Sequence, residues 1–122
     1  MEDNDLVETM VAVGQQYPFC GYGAKFFSWI NGKKHQPYNS WGNGSAMRVA
    51  FVGEFYEDYD EMQKMASKTA EVSHNHPEGI KGAVVTATCI WMANTVSPSR
   101  RYMITFCRNI RQTFMSTASG IA

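Results

Sequence analysis

The chain has no excess of charge. Its 122 residues carry 11 Lys+Arg against 11 Asp+Glu, a formal charge of zero. That argues against non-specific attachment to nucleic acid or to an anionic membrane, both of which need a basic field. The single basic cluster, Arg100, Arg101, Arg108 and Arg111, reads as the solvated face of a helix. Cysteine is scarce and odd in number: Cys20, Cys89 and Cys107 lie far apart, with no CxxC pair and no zinc spacing. Cys89 and Cys107 fall inside apolar periodic stretches and read as buried free thiols. No apolar run is long enough for a membrane span, since Ala83–Ala93 is short and interrupted by Thr86 and Thr88. The acidic start, Met-Glu-Asp-Asn-Asp, lacks the apolar region of a signal peptide. A soluble chain in a reducing, cytoplasmic compartment is expected. No internal repeat or low-complexity run is evident.

What remains is a globular composition, 44% apolar and 13% aromatic, on a length that suits one domain or part of one. Residues 4–16 read as a helix capped by Asn4 or Asp3, with Leu6, Met10 and Val13 at i, i+4, i+7. Tyr17-Pro18 stops it, because the residue before proline is pushed from the α region. A second, short helix is expected over 24–31 and ends at Asn31-Gly32. Lys33–Gly44 is loop. Residues 45–55 predict a helix capped by Ser45 with Met47, Ala50, Phe51 and Phe55 inward, although Val49–Val52 leaves a short strand as the alternative. Asp58 with Glu61 resembles a capping box. The helix it opens runs to about Ser73, with Met62, Met65, Ala66 and Thr69 on one face. Pro77 suits the first turn of a helix over 77–94, apolar almost all round and therefore central. Gly79 and Gly82 in its first turns make sense where something packs closely. Ser97-Pro98 starts a last helix to about Phe114, and 115–122 reads as a frayed tail. The fold class is all-α, about six helices with no pattern that would build a sheet.

Two loops carry the chemistry-bearing residues. The first, Pro37-Tyr-Asn-Ser-Trp-Gly-Asn-Gly-Ser-Ala-Met-Arg-Val49, is a glycine-rich turn running into a helix. Backbone N–H groups at such a junction can hold an anion, and Trp41 offers a flat face for a base or sugar. The plainer reading is an ordinary loop with a helix N-cap. The second, Ala70-Glu-Val-Ser-His-Asn-His-Pro-Glu-Gly-Ile-Lys-Gly-Ala83, places two histidines at a helix start. His74 and His76 can be read as a metal pair, but no further ligand stands at a recognisable spacing. Alternatively His76 braces the helix beside Pro77, and His74 points into a pocket to meet a phosphate or ribose hydroxyl.

Taken together, these two stretches resemble the ADP-ribosylglycohydrolase family, which includes the dinitrogenase-reductase-activating glycohydrolase. Tyr17-Pro, Gly21-Tyr-Gly and Phe27-x-Trp29 also fit. The resemblance covers about residues 6–96 and is weaker over 97–114. It implies one partial all-α domain spanning 1–122, from a family domain about twice this length, and a hydrolase of the bond between ADP-ribose and a protein side chain. It implies two divalent metal ions, magnesium or manganese, in a carboxylate cluster. It further implies that Ser40, Trp41, Gly42, Asn43, Gly44, Met47 and His74 form the ligand site, with Asn39–Gly44 wrapping the diphosphate. The family's Thr-Asp-Asp-Thr and Asp-Thr-Asp metal motifs and its glutamate near the N-terminus are not in this chain. The Asp3/Asp5 and Asp58/Asp60 pairs read as capping and first-turn charge. The expectation is a truncated hydrolase domain that keeps the diphosphate loop and the histidine but supplies neither metal ligand nor catalytic residue. Its partner would be ADP-ribose or an ADP-ribosylated protein, and a companion chain or a second copy would complete it. The alternatives are a non-catalytic ADP-ribose-binding module and a helical interaction element.

Overall fold

A computed structural model describes residues 3–95. The expected last helix over 97–114, the tail 115–122, Cys107 and the arginine cluster lie outside the described residues. Among those described there are six helices and no strand: α1 (Asp3–Gln16), α2 (Ala24–Asn31), α3 (Gly44–Arg48), α4 (Ala50–Phe55), α5 (Tyr59–Glu71) and α6 (Pro77–Thr95). The class is all-α as expected, but the sixth helix arises differently. The segment expected as one helix over 45–55 is two, because Val49 adopts φ −84°, ψ −3° and interrupts the α ladder.

Local chemistry explains most boundaries. α1 ends at Gln16, before Pro18, with the Tyr17 N–H still donating to Val13 O at 3.2 Å. It already includes Asp3, so neither Asp3 nor Asn4 is the residue that precedes it. Gly32 closes α2 with φ −76°, ψ 170°, an extended conformation rather than the left-handed one that Asn-Gly suggests. The Asp58 carboxylate accepts the Glu61 N–H at 2.8 Å and caps α5 as expected. Asp58→Ala is expected to cost about 1 kcal/mol of stability, the usual worth of an N-cap, read as a lower midpoint in urea unfolding with an unchanged slope. His76 caps α6: its Nδ1 accepts the Glu78 N–H at 3.1 Å, and its carbonyl accepts the Ile80 N–H at 3.1 Å.

The core lies where α3, α4 and α5 pack on α6. Its buried members are Val49, Val52, Met62, Ala66, Ala70, Ala83 and Ala87. Four of these are alanines, and small side chains let helix axes approach closely. Gly53 shows how closely: a Cβ there would stand 2.6 Å from Ala87 O. This inverts the face expected for 45–55. Met47 and Phe55 are 75% and 73% exposed, Ala50 and Phe51 are exposed as well, and Ser45, Val49 and Val52 are buried instead. Ser45 is not a cap. It sits inside α3, and its hydroxyl donates to Gly79 O at 2.7 Å, stitching α3 to α6. On α5, Met62, Ala66 and Thr69 are buried as expected, with Met65 packed against the cluster. α1 and α2 pack on each other near their C-terminal ends, where Gly14 takes the Ile30 side chain against its backbone and Gln15 Nε2 donates to Ile30 O at 3.3 Å. Cys20 and Cys89 are free thiols; Cys20 is exposed and Cys89 only half-buried. No helix among the described residues is long and apolar enough to cross a membrane.

Candidate functional site

A cavity of about 700 Å³ opens between the α1–α2 pair, the 38–44 loop, α3 and the turn after α5. Ser40, Gly42, Asn43, Gly44, Met47 and His74 all line it. The two sequence stretches, separated by some thirty positions, therefore meet at one place. Trp41 does not line the cavity: it is 74% exposed and tilts over the His76 ring at 6.2 Å between centroids.

The loop is anchored from the second stretch. The Tyr38 N–H donates to Ser73 O at 3.1 Å. The Asn39 N–H donates to Asn75 Oδ1 at 2.7 Å. Asn39 takes φ 52°, a left-handed conformation that asparagine tolerates better than most residues. The Gly42 N–H donates to Ser40 Oγ at 3.3 Å. α3 then begins at Gly44, and its first intrahelical bond is Met47 N–H to Asn43 O at 2.9 Å. The N–H groups of the first turn have no partner within the helix.

His74 is the pivot. It is only 4% exposed, and its Nε2 edge lies against the loop: a Cβ on Gly44 would meet Nε2 at 2.8 Å and Cε1 at 3.0 Å. Its Nδ1 is 2.8 Å from Ser73 Oγ, and the Tyr38 ring tilts against it at 5.7 Å. Gly79 is the reason helix, loop and histidine can converge. A Cβ there would stand 2.7 Å from Ser40 O, 3.0 Å from His74 O and 3.1 Å from His74 Cβ. The expected close packing thus holds at Gly79, whereas Gly82 has only ordinary contact, with Ala46 Cβ at 3.8 Å.

The electrostatics favour an anion. Arg48 and Lys25 line the cavity, and among the described residues no aspartate or glutamate does. Arg48 donates from Nη2 to Thr69 O and to Ser73 Oγ, both at 2.8 Å, and its guanidinium lies 5.9 Å from the Phe26 ring centroid. Its buried Nε has no acceptor. Burial lowers the Arg48 pKa to about 10, with Tyr38 pulling the other way. Burial raises the Tyr38 pKa, and Arg48 and Ser73 oppose the rise. Burial first, and the Arg48 charge second, lower the His74 pKa from 6.5 to about 4. The folded state therefore refuses a proton that the unfolded chain accepts. The stability this confers is complete above about 6.5 and is lost as pH falls toward about 4. In melts taken through that window, His74→Gln is expected to flatten the decline relative to the parent.

The donor set does not fit a pair of divalent ions. Among the described residues the cavity offers one imidazole and no carboxylate, and hard divalent cations take oxygen ligands, carboxylates above all. His76 commits its Nδ1 to the start of α6, and the cavity lining contains His74 but not His76, so the structure brings only His74 to the cavity. Among the described residues no group of three or more His, Cys, Asp or Glu is placed to hold a metal ion.

Sequence reasoning missed part of the site. Arg48, Ser73 and Asn75 stand inside the two quoted stretches, so the signal was present but their contacts were not. The wall formed by Met10, Val13 and Phe26 of the α1–α2 pair carried no signal beyond apolarity, whereas Tyr22 in the connector belongs to the Gly21-Tyr-Gly stretch that fits the family.

Fold and cavity together define an all-α chain with a cleft whose lining carries Arg48, Lys25 and His74. The family model for ADP-ribosylglycohydrolase matches residues 6–119, and the chain belongs to that family. The match continues past the motif-bearing region, through the segment where the resemblance is weaker. Among curated proteins the chain is similar to the ADP-ribosylhydrolase ARH3 of Mus musculus, 31% identical over 117 residues, covering 81% of this chain and 32% of the relative. It is also similar to ADP-ribosylhydrolase ARH3 of Gallus gallus and of Homo sapiens, 38% and 36% identical over 64 residues, covering 52% of this chain and 16% of each relative. The chain thus spans between about a sixth and a third of the length of these relatives. No solved structure matches it significantly.

Proposed function

We propose that the cavity is an ADP-ribose cradle and that the chain, taken alone, binds ADP-ribose or an ADP-ribosylated protein without cleaving it. The observation that carries this reading is the convergence of Ser40, Gly42, Asn43, Gly44, Met47 and His74 on one cavity lined by Arg48 and Lys25 and, among the described residues, by no acid. A diphosphate suits backbone N–H groups and cationic walls. The half-apolar wall from α1 and α2 suits a base or ribose face. In this reading the exposed Trp41, which tilts over His76, folds onto the bound ligand.

Hydrolysis of the glycosidic bond to a protein side chain is the reaction proposed for the whole family domain. It needs a group that activates water, and neither the cavity lining nor the sequence motifs of this chain supply the carboxylate cluster for two magnesium or manganese ions. A companion polypeptide bearing those carboxylates would complete the site.

The test has two arms. Calorimetry of the purified chain with ADP-ribose is expected to give saturable heat. Incubation with an ADP-ribosylated arginine or serine peptide and Mg²⁺ is expected to release no ADP-ribose. Release that is lost on Trp41→Ala would overturn the non-catalytic part. The exposed Met47, Phe51 and Phe55 favour a second reading, a helical assembly element that associates with a second copy through them. A monomer in sedimentation at every concentration removes that reading.

A further inference from the structure

His74 is held by a hydrogen-bond chain that has a direction. Arg48 Nη2 lies 2.8 Å from Ser73 Oγ, and Ser73 Oγ lies 2.8 Å from His74 Nδ1. A guanidinium can only donate. Ser73 Oγ therefore accepts from Arg48, and its one hydroxyl hydrogen is left for a group that accepts. Ser73 is 0% exposed, so that hydrogen cannot go to bulk water. One arrangement satisfies both of these neighbours of the hydroxyl: it accepts from Arg48 and donates to His74 Nδ1. An imidazole nitrogen that accepts carries no proton, so in the neutral ring the proton sits on Nε2. Nε2 is the nitrogen that faces the loop, beside Gly44 and within 4.0 Å of a Cβ position on Gly42.

We infer that Ser73 and Arg48 are positioning residues that lock His74 as the neutral Nε2–H tautomer, so that the cavity meets its ligand with a fixed hydrogen-bond donor. The ligand class follows: an acceptor oxygen, such as a phosphate or ribose oxygen, rather than a metal ion or a group that needs a base. Naming ADP-ribose as its source rests on the proposed function, whereas the lock itself does not. Arg48 is the charged neighbour, and its positive charge, after burial, disfavours a second proton on the ring. The 38–44 loop presents Tyr38, α3 presents Arg48, the end of α5 presents Ser73, and the start of α6 presents Gly79. Such a donor costs no proton uptake when an anion arrives.

Long-range proton–nitrogen correlation on the ¹⁵N-labelled full chain tests this. His35→Gln and His76→Gln variants assign the His74 signals. The expected pattern is a pyridine-like Nδ1 and a pyrrole-like Nε2, unchanged between about pH 8 and about pH 5. Ser73→Ala is expected to lose the fixed pattern, with both nitrogens averaging, while Ser73→Thr keeps it. Arg48→Met frees Ser73 to accept from the ring and is expected to raise the Nδ1–H population. A proton on Nδ1 or averaged nitrogens in the parent chain overturns the lock, as does an unchanged pattern in Ser73→Ala. If Ser73→Ala does not fold, the parent spectrum and Ser73→Thr still decide. ADP-ribose added to the same sample separates the two claims. A locked tautomer whose Nε2 proton ignores the ligand removes the ADP-ribose assignment and keeps the lock. Averaged nitrogens in a chain that still binds do the reverse.

Discussion

Gly79→Ala is expected to destabilise the fold by about 2 kcal/mol, although alanine is the better helix former. Two effects oppose each other. Helix propensity favours alanine over glycine by about 0.8–1 kcal/mol in a helix interior. Against it, the new methyl would stand 2.7 Å from Ser40 O and 3.0 Å from His74 O. Both are backbone atoms, so neither can turn aside as a side chain end would. The loop or the turn after α5 must move, and overpacking of this kind typically costs about 1–3 kcal/mol. Gly82 supplies the control, because it lies in the same helix three residues on and its methyl would meet only Ala46 Cβ at 3.8 Å. Gly82→Ala should therefore stabilise by about 0.5–1 kcal/mol, the propensity gain alone. Urea unfolding of the two variants checks the opposite signs. Two midpoints that rise together would show that α6 does not press on the loop.

Gly44→Ala is expected to weaken ADP-ribose binding at least about tenfold, equivalent to about 1.4 kcal/mol. The added methyl would meet His74 Nε2 at 2.8 Å. His74 cannot swing away freely, since Ser73 holds its other nitrogen at 2.8 Å and Gly79 lies behind it. The ring must break the Ser73 bond or the loop must lift. Either way the donor moves off the cavity wall. Calorimetry on the variant, beside a melt that shows it folded, separates lost affinity from lost structure. Undiminished affinity in a folded Gly44→Ala chain would mean that the ligand does not sit between the loop and the histidine.

Much of this architecture was legible from residues alone. Asp58 with Glu61, Pro18 and Pro77 each act through one or two local contacts, so the boundaries they set are readable without a tertiary structure. The 45–55 segment was not. It carries two apolar stripes, and the bulkier one, Met47, Phe51 and Phe55, looks like the core face. The structure buries the smaller one, Ser45, Val49 and Val52, because the α6 surface it meets is built from Gly79, Ala83 and Ala87 and admits only a close approach. Which stripe wins is decided by the partner helix, and that is a tertiary fact. The candidate site divides in the same way. Both motif stretches were visible, and so was the role of His76 at the helix start. The Arg48–Ser73–His74 chain was not, since it joins α3 to the turn after α5 across about 25 sequence positions, as the Arg48–Ser73 bond does. The absence of an acid from the cavity lining likewise emerged only once the walls were assembled.

The central claim, that the 40–44 loop and His74 cradle ADP-ribose, is tested most directly by amide chemical-shift mapping of the full chain during ADP-ribose titration. An ADP-ribose cradle predicts saturable shifts centred on the Gly42, Asn43 and Gly44 amides and on His74, with the start of α5, around Asp60 and Glu61, unmoved. No shift at about 1 mM ligand, weaker than any useful affinity, or shifts confined to a surface remote from the loop, would contradict it.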